Sequence, residues 1–272
     1  VGGVRPCSGA DEGVLSMSSL MAEALVPENG AGLALYPEPV WHHNGRRVSD
    51  TLNVTASGVA MYVPAHFEES RTEALHTLIA QNPFGSLVTH GKNGLDANHI
   101  PFLLLPEEGK FGVLHAHVAR ANPVWQDVTN GDEVLVIFRA GDAYISPTWY
   151  LSKQEHHKHV PTWNYRVVHA HGRITIRDDE RFLRGVLGRL TRAHEASQPV
   201  PWKMSDAPAD YVNALLTMIV GIEIEITWLE GKLKLGQNRE IRDARGAGEA
   251  LKASGQSVIG DAMLASVAAR TE

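Results

Sequence analysis

Two short stretches of the chain nearly repeat each other: Ser146-Pro147-Thr148-Trp149-Tyr150 and Val160-Pro161-Thr162-Trp163-Asn164-Tyr165. Each sets a hydroxyl, an indole and a phenol beside a proline. Asn98-His99-Ile100-Pro101 and His115-Ala116-His117-Val118-Ala119-Arg120 add amides, imidazoles and a guanidinium. Flat aromatic side chains stack on planar rings, hydroxyls and amides bond ring edges, and arginine forks around phosphate. Together these residues suit a planar, phosphate-bearing ligand, with a flavin nucleotide first. A single tryptophan is more readily a core residue. The clustering with Thr and Asn is what points to a ligand.

The phosphate end is read at Val118-Ala119-Arg120-Ala121-Asn122-Pro123. There a strand ends, Arg120 projects, and Asn122-Pro123 starts a short helix whose free N–H groups favour an anion. His117 lies three residues earlier and joins that group. The competing reading of Arg120 is an ion pair with a nearby carboxylate such as Asp127. Near the end, Gly231-Lys232-Leu233-Lys234-Leu235-Gly236-Gln237-Asn238-Arg239 offers cations and amides directly after a strand. They read equally as contacts to a flavin edge or as an exposed basic hairpin end. Lys232 and Lys234 are the next candidates for the phosphate.

Eleven of the 14 histidines lie between His66 and His171. His115 with His117, and His169 with His171, each share one strand face. Such i, i+2 imidazoles can chelate zinc, copper or nickel. No acidic third ligand stands out, so no metal is assigned. His156, His157 and His159 read as a solvated basic turn. There is no G-x-G-x-x-G after a strand, no phosphate loop of the G-x-x-x-x-G-K-[ST] type and no G-x-S-x-G elbow. The single cysteine, Cys7, excludes an internal disulfide, and a reducing cytoplasm fits that usage. A net charge of −6 without a basic run speaks against a dedicated non-specific nucleic-acid binder. No apolar run is long enough to span a bilayer.

Residues 1–60 contain no lysine and no phenylalanine and keep no apolar period. They are expected to form a loosely attached or disordered extension, with Met61 as a natural beginning. From Met61 the patterning is orderly. Ser70-Arg71-Thr72-Glu73 fits a capping box before a helix ending at Asn82-Pro83. Phe84–Thr89 and Leu95–Leu105 flank a Lys92-Asn93-Gly94 hairpin turn. Further strands are expected at Phe111–Val118, Glu133–Arg139, Ala143–Ser146 and Val160–Ile176, the last bent at Gly172. Asp178-Asp179-Glu180 starts a helix reaching about Glu195, and Tyr211–Ile219 is another. Ile222, Ile224 and Ile226 alternate with polar residues as in a half-buried strand. The Ala-rich end from Glu240 is helical. Helices between antiparallel hairpins, with no regular βαβ alternation, give an α+β fold. About six strands at hairpin spacing suggest a small closed or split β-barrel with flanking helices over 61–272.

These residues together resemble the PaiB-type family of FMN-binding negative transcriptional regulators. The resemblance is carried by Met61-Tyr62-Val63-Pro64, His66-Phe67, Asn82-Pro83-Phe84 and Ala97-Asn98-His99-Ile100-Pro101. It continues through His117–Pro123, Tyr144–Tyr150, Val160–Tyr165, Gly231-Lys232, Lys234-Leu235 and Gln237-Asn238. It covers essentially all of 61–250; Gly236 departs from it, where a serine is expected. The resemblance implies an FMN-binding split barrel related to the pyridoxamine-phosphate oxidase fold. It further implies a homodimer with flavin at the subunit interface, and a repressor, in Bacillus linked to extracellular protease and sporulation genes. By analogy of the barrel, the cofactor-binding set is His99, His117, Arg120, Asn122, Thr148, Trp149, Thr162, Trp163, Asn164, Lys234 and Gln237. A flavin-dependent oxidoreductase and a haem- or metal-binding split barrel are the alternatives. Direct DNA contact stays open.

Overall fold

The computed structural model describes residues 61–271. The expected extension over 1–60 lies outside the described residues. Helix α1 (Thr72–Gln81) precedes the hairpin of β2 (Phe84–Gly91) and β3 (Gly94–Pro101), after a two-residue strand β1 (Glu68–Glu69). Then come β4 (Leu103–Leu105), β5 (Val113–Ala119), a single turn α2 (Val124–Asp127) and the long β6 (Glu133–Ile145). A further turn, α3 (Lys153–His156), leads to β7 (Thr162–Arg177), α4 (Glu180–Glu195), α5 (Ala209–Leu216), β8 (Ile219–Lys234), α6 (Ile241–Ala253) and α7 (Ser257–Ala268).

All eight strands form one antiparallel sheet in the order β3-β2-β6-β7-β8-β5-β4, with β1 on the far end of β8. β3 and β4 stand at opposite ends of that order, yet only Phe102 separates them in the chain. The two edges therefore meet there, and the sheet curls into a barrel split along that seam. Phe102 is buried and packs edge-on against Phe138 at 5.6 Å. Gly85 permits this approach, since a Cβ there would lie 2.9 Å from Phe138. Leu87, Leu114, Val136, Val168, Ile174 and Ile222 fill the interior. Helices α6 and α7 cover a second core of Ala143, Ile145, Leu235, Leu251 and Met263.

Two bulges shape the barrel. On β6 the register slips between Arg139 and Asp142, around Gly141 at φ +97°. This turns Ala143 and Ile145 toward the helical pair. On β7–β8 it slips at His171/Gly172, where Thr227 is the extra residue. A Cβ on Gly172 would sit 2.5 Å from the Glu225 carbonyl oxygen, so only glycine fits the expected bend.

Three sequence expectations are corrected. The capping box does not form: α1 begins after Arg71 with no side-chain cap. Arg71 instead turns its guanidinium and its amide to the Glu69 carboxylate. The strand expected over Leu95–Leu105 breaks at Phe102 to change edges. The segments 133–139 and 143–146 are one bulged strand, β6. Helix α4 starts where the acidic run stands, with Asp179 accepting from the Phe182 amide at 2.8 Å.

Candidate flavin site

The expected site residues fall into two groups. The first lies at the seam. Asn122, in the turn between β5 and α2, donates to Asn98 on β3 at 2.6 Å and accepts from the Val124 amide at 2.9 Å. That bond ties the β3 edge to the end of β5. His99 is exposed on β3 and meets the Ser86 hydroxyl at 2.9 Å. His117 sits half-buried on the outer face of β5, and burial lowers its pKa, which favours the neutral ring. Its buried Nδ1 has no hydrogen-bond partner. An orphaned buried nitrogen is destabilising by about 1–3 kcal/mol, and a ligand group can satisfy it.

Arg120 is heavily engaged. Its guanidinium donates to both Asp178 oxygens at 2.9 and 2.5 Å. It also donates to the carbonyls of Thr217 at 2.7 Å and Ile219 at 3.0 Å. The Asp178 bonds raise its pKa and lower that of Asp178. A carboxylate does hold Arg120, though it is Asp178 rather than Asp127. Helix α2 is one turn long, so it adds no sustained helix dipole.

The second group surrounds the β6–β7 connection, whose two arms carry the two Pro-Thr-Trp units. Lys234 donates to the Thr162 hydroxyl at 2.6 Å, and burial lowers its pKa. Trp163 is 54% exposed and sits edge-on to Tyr144, itself 44% exposed, at 6.1 Å. Thr148 is exposed and shares a 2.7 Å bond with Ser146. Trp149 packs on the α6–α7 core. Asn164 is buried and donates to the Met263 sulfur at 3.3 Å. Gln237 closes the turn after β8, bonding the Leu233 carbonyl and the Leu235 amide. Gly236 in that turn has φ +86°, which favours glycine over the expected serine.

One constellation resembles a catalytic triad without being one. Ser152 bonds His159 at 2.7 Å and Asp243 at 2.5 Å. The carboxylate thus holds the serine, while the far nitrogen of His159 faces Arg239 at 3.3 Å. Ser152 is fully buried, so it cannot meet a substrate. His159 is accordingly a structural residue rather than part of a solvated turn.

Residues 61–228 match the family described as "Putative FMN-binding domain". The chain belongs to this family. Its cofactor is FMN, and the orphaned His117 nitrogen with the exposed indole of Trp163 fits a planar, polar-edged group. An uncharacterised protein of Emericella nidulans is 36% identical over 221 residues, covering 68% of this chain and 88% of that protein. The protease synthase and sporulation protein PAI 2 of Bacillus subtilis is 29% identical over 185 residues, covering 67% and 85%. A solved FAD- and haem-binding protein from Mycobacterium smegmatis superposes with a TM-score of 0.46 at 18% identity, over 62% and 74% of the two chains. Among the described residues of this FMN-binding domain, no helix is long and apolar enough to cross a membrane.

Two residues outside the expected cofactor-binding set matter: Asn98, whose contact with Asn122 joins the seam, and Glu230, which faces the His169–His171 pair. The first was legible as part of Asn98-His99-Ile100-Pro101. The second was hidden by the bulge at Thr227.

Proposed function

We propose that this chain is a flavin-linked transcriptional regulator whose FMN site is completed by a second copy of the chain. The observation that carries this reading is the separation of the two groups. Ala119, beside Arg120, pairs with Ile219 at the start of β8, and Lys234 ends that strand. Fifteen residues of strand give roughly 50 Å of contour. Arg120 and His117 thus stand at one end of β8, and Lys234 at the other. A two-fold dimer can set the seam of one copy against the hairpin end of the other. In this arrangement His117, Asn122 and His99 face the flavin from one copy. Trp163, Thr162 and Lys234 face it from the second, with Lys234 and the Thr162 hydroxyl toward the phosphate. Bound FMN supplies a ring that accepts one or two electrons. The chain's own residues hold it and shield its faces.

The regulatory part of the reading draws on the sporulation-linked name of the Bacillus subtilis relative. With a net charge of −6, repression through a partner or through ligand sensing fits better than broad contact with DNA. The test is purification of the full chain, with mass by light scattering and mass spectrometry of the small molecule released on denaturation. A dimer carrying one FMN per chain supports the reading. A monomer binding FMN at full strength would sink it. Sustained oxidation of reduced nicotinamide by the loaded protein would move the function to an oxidoreductase.

A further inference from the structure

The outer face of β7 and β8 carries a cluster that the flavin reading leaves unused. His169 and His171 project from one face of β7, and Glu230 stands opposite His169 on β8. One ligand atom from each lies within 4.8 Å of the others. His171 Nε2 is 2.9 Å from the Glu230 carboxylate. The geometry points to a divalent transition-metal site of the zinc class, held by His169, His171 and Glu230.

Two imidazoles and one carboxylate are the donor set that zinc takes when a coordination position is left open. Ligand atoms about 2.0–2.1 Å from a tetrahedral ion stand roughly 3.3 Å apart. The present spacing needs only a small side-chain rotation to close. The supporting contacts are in place. The indole of Trp228 stacks on His171 at 4.8 Å and 23°, fixing the ring plane. Glu230 is 9% exposed and also accepts from the Met61 amide at 3.0 Å, which orients the carboxylate. Ile137 and Leu135 of β6 pair with the two histidines and form an apolar wall. The nearest cation along β8, Lys232, is drawn away by the Tyr62 carbonyl at 2.8 Å and by the rings of Tyr62 and Tyr165.

The rival account is a structural tie in which Glu230 merely joins His171 to the Met61 segment. Titration of the chelator-treated full chain with Co2+, followed by its visible d–d absorption, and then with Zn2+ in competition, separates the two. The site predicts one saturable equivalent per chain and a rise in melting temperature with Zn2+. Each of His169→Gln, His171→Gln and Glu230→Gln should weaken binding by about a hundredfold or more. Glu230→Gln keeps the volume and the hydrogen-bonding oxygen, so it removes the charge without removing the tie. Circular dichroism and flavin content should be unchanged in that variant. His156→Gln/His157→Gln, in the exposed loop, should leave the affinity as it is. Absence of saturable binding would overturn the proposal. So would affinity that survives Glu230→Gln, or that vanishes with the loop pair.

Discussion

Arg120, expected at the phosphate, already has carboxylate and carbonyl partners within the chain. Four of its five N–H donors go to Asp178, Thr217 and Ile219, which pins the end of β5 to the connections around α4 and α5. Arg120→Ala is therefore expected to weaken FMN and riboflavin alike and to lower the melting temperature. A loss confined to FMN, measured by fluorescence titration of both ligands, would return the phosphate to Arg120. Asp243 is the second case. Burial alone would raise its pKa, but the hydroxyl and amide of Ser152, with His159 and Arg242, hold it below the ordinary value. A depressed folded pKa contributes stability that is present above the unfolded value near 3.9 and lost as pH falls through the folded one. Asp243→Ala should cost about 1.5–3 kcal/mol at neutral pH, from charged hydrogen bonds lost in a buried site. In denaturant melts the gap between the two proteins should narrow below about pH 4. A gap independent of pH would mean that packing, not charge, sets the cost.

At the scale of the elements, the sheet is governed by two bulges. Gly172 is the clearest test: a side chain there meets the Glu225 carbonyl and the Ile224 methyl at 2.5 Å. Gly172→Val is expected to destabilise by about 1–3 kcal/mol, as overpacking does in a closed sheet. A denaturant midpoint equal to that of the parent would show that the β7–β8 ladder yields there. The same bulge explains what could be read from the sequence. The alternation of Ile222, Ile224 and Ile226 was plain and correctly faced these residues inward. Thr227 then adds one residue, so the outer positions change from odd to even. Glu223 and Glu225 lie outside before it, and Trp228, Glu230 and Lys232 after it. Period-2 counting would have sent Glu230 to the core, so no acidic partner for His169 and His171 was visible. The bend at Gly172 and the hairpin at Lys92-Asn93-Gly94, where Gly94 has φ +101°, were legible because glycine marks strained or crowded backbone. The break at Phe102 was not, because a large apolar residue inside an apolar run carries no sign that the strand changes edges.

At the scale of the whole molecule, the two halves of the flavin site make a prediction about assembly. If each site joins the seam of one copy to the hairpin end of the other, defects in different halves should complement. His117→Ala removes a seam contact, and Lys234→Ala removes one at the hairpin end. Each variant alone should lose most of its FMN affinity, because both sites of its dimer carry the same defect. Unfolded and refolded together, the chains pair at random, and about half of the dimers are mixed. Within a mixed dimer one site collects both defects and the other collects none. About a quarter of all sites should therefore recover parental affinity, read as a tight phase in a fluorescence titration. No tight phase, with mixed dimers verified by mass spectrometry, would place both halves of the site in one chain. It would also require the barrel to bring Lys234 toward the seam by a route other than a dimer.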